Sequence, residues 1–142
     1  MRFMMIVKST PESEKGGLPT TEELTAMGKY NEELVKAGVM LDGNGLAPSS
    51  QGARVTFADQ GKTTVTDGPF AESKELIAGY WILDVKSREE AIEWARRVPF
   101  GSGGVLEIRK VAEAEDFGDN FTPELREAED ALNEEVAKRR QG

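Results

Sequence analysis

Apolar and polar positions along this chain follow two periods, and the points where the period changes mark its elements. "RFMMIVK" (Arg2–Lys8) is apolar on both alternating sides, Phe3, Met5 and Val7 against Met4 and Ile6. That predicts a strand covered on both faces. A polar loop follows. Leu24, Met27, Tyr30 and Leu34 then recur at helical spacing behind a Thr20/Glu23 capping box, and Gly38 supplies a stop. A helix over about 20–37 is predicted. "VMLDGNGLAP" (39–48) begins as a strand and ends in a turn. Residues 53–66 read as a hairpin around "DQG", with Gly61 in the left-handed position. Residues 77–85, "IAGYWILDV", have the aromatic and β-branched content of a strand. A Ser87/Glu90 capping box opens a helix carrying Ala91, Trp94, Ala95 and Val98, which stops before Pro99. In 104–111, Leu106 and Ile108 point one way and Glu107 and Arg109 the other.

The resulting order is βαββαβ with a hairpin inserted at its middle. That is a ferredoxin-like α+β layout, with two helices on one face of the sheet. Phe3, Met4, Tyr80 and Trp81 cannot all lie under two helices, because neighbours on a strand face opposite ways. A second subunit covering the other face resolves this, so a homodimer with its sheets face to face is expected.

Charge separates off the C-terminal part. Residues 112–135 hold ten acids and one base, Arg126, whereas the rest of the chain has 16 acids and 17 bases. The net charge of −8 therefore belongs to the tail. Two regions are predicted: a domain over 1–111, and an acidic extension over 112–142 with a helix at about 122–140. Thr122 caps that helix, Pro123 takes its first position, and Leu125, Ala128, Leu132 and Val136 form a narrow apolar stripe. No basic stripe exists, which argues against direct nucleic-acid binding. No apolar run is long enough to span a membrane. The N-terminus lacks a signal-peptide pattern, so a cytoplasmic location is expected.

Composition then narrows the chemistry. The 142 residues include no cysteine and no histidine. Disulfides, thiolate nucleophiles and histidine-based acid–base catalysis are excluded. No metal site and no organic cofactor are expected. Acid–base work would fall to Asp, Glu, Lys or Tyr.

The candidate site is "TVTDGPFAESKE" (64–75). Asp67 suits an Asx-turn, Gly68 a tight conformation, Pro69 a fixed φ, and Phe70 an apolar anchor. These residue types make a rigid corner. If 71–75 is extended, Glu72 and Lys74 share a side and could line a cleft with Arg109 or Arg54. The candidate ligand contacts are therefore Asp67, Gly68, Pro69, Phe70, Glu72, Lys74 and Arg109. Asp67, Glu72 and Lys74 are the candidate catalytic groups, and a small polar or aromatic molecule is the expected ligand. "DGNG" (42–45) lacks the later ligands of a calcium loop. "GSGG" (101–104) precedes a strand and so lacks the helix N-terminus that phosphate loops use.

"VTDGPFAESKELIAGYWILDV" (65–85), "NEELVKAGVMLDGNGLAP" from Asn31 and "SREEAIEWARRVP" from Ser87 closely resemble the YCII-related proteins, in the branch named for its Asp-Gly-Pro-Phe motif. The resemblance covers 2–111, and "DFGDNFTPELRE" looks like an extension that some members carry. It implies a ferredoxin-like dimeric α/β barrel. It also implies association with a sigma factor in transcription, and lyase-like chemistry is associated with some relatives; a metal-free lyase or isomerase using a carboxylate or lysine is the alternative to a ligand-binding protein. The His–Asp pair proposed for some relatives has no counterpart here, because the chain has no histidine.

Overall fold

In the computed structural model, which describes residues 1–141, the chain divides into two compact units, Met1–Lys110 and Val111–Gly142. The first unit is built on six strands: β1 (Arg2–Lys8), β2 (Met40–Gly45), β3 (Ala53–Phe57), β4 (Thr63–Asp67), β5 (Ile77–Asp84) and β6 (Leu106–Lys110). Three helices accompany them, α1 (Pro11–Glu14), α2 (Thr21–Lys36) and α3 (Arg88–Arg96). β2, β5, β1 and β6 form one antiparallel sheet in that order, and β3 and β4 form a separate ribbon. This is the ferredoxin-like α+β order with an inserted hairpin.

Local chemistry explains the helix limits. Thr20 accepts from the Glu23 amide while Glu23 accepts from the Thr20 amide, a complete capping box. Ser87 makes only half of one. Its hydroxyl accepts from the Glu90 amide, but the Glu90 carboxylate turns to the Lys86 amide instead. Gly38, at φ 72°, ends α2 in a conformation that costs a side-chain-bearing residue more. α1 was not expected. Residues 11–14 read as polar loop, yet Thr10 and Ser13 cap each other and wind one turn.

Register decides which side chains meet the helices. Phe3 pairs with Leu83 and Met5 with Trp81 and Ile108, so these share a sheet face. They join Tyr30 and Leu34 of α2 and Ala91 of α3 in one core. Tyr30 lies edge-on to both Trp81 and Trp94, at 5.7 and 6.5 Å between ring centroids. Met4, Ile6, Tyr80 and Ile82 occupy the opposite, outer face, together with Glu107 and Arg109. They remain outside the helix-backed core. Of the adjacent aromatics, Trp81 is thus the core residue and Tyr80 the outer one.

The second unit holds a 3₁₀ segment, Ala114–Asn120, and α4 (Pro123–Gln141). Thr122 caps α4 by accepting from the Leu125 amide. Phe117 meets Phe121 edge-to-face, and Arg126 pairs with Glu115 at 2.8 Å. No helix among the described residues is long and apolar enough to cross a membrane.

Candidate functional site

The Asp67–Phe70 motif forms a fastened corner. β4 ends at Asp67, opposite Ala53, and the Gly68 amide donates to the Gly52 carbonyl at 3.0 Å. The Gly68–Pro69 peptide is cis. Gly68 sits so tightly on the turn at Ser49–Gln51 that an added Cβ would lie 1.7 Å from the Ser49 carbonyl oxygen. No other residue type fits there without moving backbone. The Phe70 amide donates to Ser49 Oγ at 3.0 Å, and the Arg54 guanidinium covers the Phe70 ring at 3.8 Å. Ser49 is held in turn by Glu14, whose carboxylate accepts from both its hydroxyl and its amide. Sequence reasoning missed Glu14 and Ser49. They lie 35 residues apart, and no periodic signal links a loop serine to a distant glutamate.

The charged residues after the corner do not converge. The condition for Glu72 and Lys74 to share a side, an extended 71–75, is not met. Ser73–Glu75 is a 3₁₀ turn, so the alternating-face argument for Glu72 and Lys74 does not hold. Both side chains are exposed. Arg109 is on β6, paired with Glu107 at 3.4 Å. Among the described residues, no ion pair joins Asp67, Glu72 or Lys74 to Arg109.

A cavity of about 290 Å³ lies elsewhere, where α2 crosses the ends of β2 and β5. Its apolar walls come from Val7, Met27, Met40, Trp81 and Phe100. Asn31 supplies a polar group. Its Oδ1 accepts from the Trp81 indole N–H at 2.9 Å, which fixes the amide and leaves its N–H groups as donors. Glycines make the room. A Cβ on Gly43 would come within 2.9 Å of both Met40 Cε and Trp81 Cδ1. Gly79, also lining the cavity, faces the Asn44 carbonyl at 3.0 Å in the same sense. No carboxylate, lysine or arginine lines the cavity, and none of Asp67, Gly68, Pro69, Phe70, Glu72, Lys74 or Arg109 does.

Two polar arrangements border this region. Asn44 donates to the Tyr80 hydroxyl at 3.0 Å and to Asp42 at 3.3 Å, which ties β2 to β5 across the sheet. Behind the cavity wall, the Tyr30 hydroxyl donates to the Trp94 carbonyl at 2.7 Å. Burial pushes the Tyr30 hydroxyl up to about 12, with Arg97 pulling it down and Glu33 adding to the rise.

The YCII-related domain model matches residues 1–115. An uncharacterised protein of Rhizobium meliloti (strain 1021) is 36% identical over 82 residues, 56% of this chain and 65% of that protein, so the match spans just under two thirds of the relative. Among solved structures, the chain is similar to 5-chloro-2-hydroxyhydroquinone dehydrochlorinase from Burkholderia phenoliruptrix AC1100, in complex with 2,5-dihydroxybenzoquinone. That likeness has 15% identity and a TM-score of 0.40, and covers 82% of this chain and 99% of the other. The chain belongs to the YCII-related family.

Proposed function

We propose that this YCII-related chain is a homodimer that binds a small planar molecule in the cavity between α2, β2 and β5. The observation that carries the reading is the wall chemistry: aromatic and thioether side chains around the amide of Asn31, which Trp81 orients. Such a site selects a mostly apolar ligand that offers one hydrogen-bond acceptor, such as a carbonyl or phenolic oxygen. The walls lack carboxylate and lysine, which favours binding over lyase or isomerase chemistry by Asp67, Glu72 or Lys74. The second copy is supported by the outer sheet face, where Met4, Ile6 and Ile82 lie outside the helix-backed core. We assign the Asp-Gly-Pro-Phe branch on residues 67–70, whose role in this reading is to shape backbone.

Gly43→Ala tests the pocket. The added methyl narrows the cavity from its floor while leaving the corner untouched. Small aromatic carbonyl compounds that raise the melting temperature of the wild type are expected to lose that effect in Gly43→Ala. A compound whose stabilisation survives Gly43→Ala but vanishes in Phe70→Ala overturns the reading.

A further inference from the structure

Residues 111–142 hold ten acids against four bases, whereas residues 1–110 hold sixteen against fourteen. The acidic unit also carries a cleft of its own, of about 310 Å³, lined by Phe117, Asn120, Phe121 and Glu129. Local chemistry shapes it. Gly118 stands between the two phenylalanines at φ 68°, a conformation that favours glycine, and the Phe121 amide donates to the Gly118 carbonyl at 3.3 Å. The rings meet edge-to-face at 5.7 Å between centroids. The Glu115–Arg126 pair ties the aromatic segment to the start of α4. Glu129 lines the cleft from the next turn. Arg126, three residues before it, is committed to Glu115, and among the described residues no base pairs with Glu129. Phe117 remains 58% exposed.

Two aromatic rings beside an unpaired carboxylate suit a cation on an alkyl stem. The ring faces attract the charge and cover the stem, and the carboxylate offsets the charge. No basic residue lines the cleft. We propose that it binds a lysine or arginine side chain carried on a basic amphipathic segment of another protein, with the adjoining face of α4 completing the docking surface. Charge complementarity and the extent of that face select the occupant. Leu125, Glu129, Leu132 and Val136 recur at i, i+4, i+7 and i+11 and so share one face of α4. The three apolar members are exposed, and they carry the surface on from the cleft for about 16 Å. Glu135 flanks this stripe, three residues after Leu132. A free amine fills the cleft and leaves the stripe open to water. An acidic segment is repelled by the charge of the unit, and a purely basic one leaves the leucines uncovered. A segment with both characters covers the stripe while its cations meet Glu129 and Glu135. The site lies wholly within the acidic unit, so it does not depend on the cavity beside Trp81.

The test uses the full chain and a labelled amphipathic peptide of leucine and lysine, about 18 residues long, followed by fluorescence anisotropy at low salt. Saturable binding that weakens as salt is added is expected. Glu129→Gln and Phe117→Ala are each expected to weaken it about fivefold. Glu127→Gln, on the opposite face of α4, is expected to change it less than about twofold. Equal weakening by Glu127→Gln and Glu129→Gln reduces the interaction to the general charge of the tail and overturns the site. Polylysine that binds as tightly as the amphipathic peptide overturns it too, and so does an absence of binding at millimolar peptide. Amide shifts of the wild-type chain keep the test decisive where a variant disturbs the fold. The peptide is expected to move Phe117, Phe121, Glu129 and Leu132, and movement confined to other residues overturns the proposal. Shifts at those same positions on concentrating the chain alone assign the face to a second copy and overturn the basic partner.

Discussion

The corner at Asp67–Phe70 and the cavity beside Trp81 lie about a dozen residues apart and are built on opposite principles. The corner concentrates conspicuous residues: a glycine, a proline, an aromatic and flanking charges. Its Gly68 and Phe70 amides are spent on Gly52 and on Ser49, with Glu14 behind Ser49, and the Phe70 ring lies under Arg54. The cavity is lined by methionines, glycines, two asparagines and aromatics, drawn from five separate places in the chain. A conspicuous motif can record what the backbone demands, whereas a binding surface can be assembled from residues that look ordinary one at a time. Here the motif fixes the backbone at the foot of the β3–β4 hairpin, and the proposed ligand site lies in the cavity.

The contrast can be broken most severely at Gly68. Gly68→Ala forces a methyl into the Ser49 carbonyl and is expected to cost on the order of 3 kcal/mol by overpacking. Denaturant unfolding measures this. A loss under about 1 kcal/mol would show that the corner yields easily and is not a rigid fastening. Next in size is Asn31→Ala, which leaves the Trp81 indole N–H without its acceptor. A loss of roughly 1–2 kcal/mol is expected, together with weaker ligand binding. Binding that stays at wild-type strength would remove Asn31 from the site.

Tyr30 gives a pH test of the same wall. Its hydroxyl ionises near 12 in the folded chain against 10 when unfolded. The folded state therefore holds the proton more tightly. The stabilisation is fully present below pH 10 and is lost as the pH rises from 10 to 12. Tyr30→Phe is expected to flatten the stability profile across that window, and an unchanged slope would contradict the assignment. The smallest effects fall at the charges after the corner. Glu72→Gln and Lys74→Met, both on exposed side chains, are expected to change stability by less than about 0.5 kcal/mol and to leave ligand binding unaltered. Loss of binding in either would return the site to the corner.

Much of the fold was legible from local rules. The capping box at Thr20, the stop at Gly38 and the alternation in β6 each act within a few residues, so sequence position reveals them. The sorting of Tyr80 from Trp81 also follows from strand geometry, although which one faces the helices depends on register with β1. The candidate site was less legible. The cleft built from Glu72 and Lys74 required an extended 71–75, whereas the chain closes a 3₁₀ turn there, from the Ser73 carbonyl to the Leu76 amide. The cavity was not visible because Asn31 and Trp81 are 50 residues apart and meet only after the sheet has formed. The exposed hairpin face was written in the alternation of Val55, Phe57 and Val65, but alternation alone does not say whether a face is covered by its own chain.

The most direct test of the central claim uses the two tryptophans as internal reference and reporter. Trp81 lines the cavity, and Trp94 does not. In ¹⁹F NMR of 5-fluorotryptophan-labelled protein titrated with small aromatic carbonyl compounds, a saturable shift of the Trp81 signal is expected, with little change at Trp94. Saturable binding that leaves Trp81 unmoved and is abolished by Phe70→Ala would contradict the central claim.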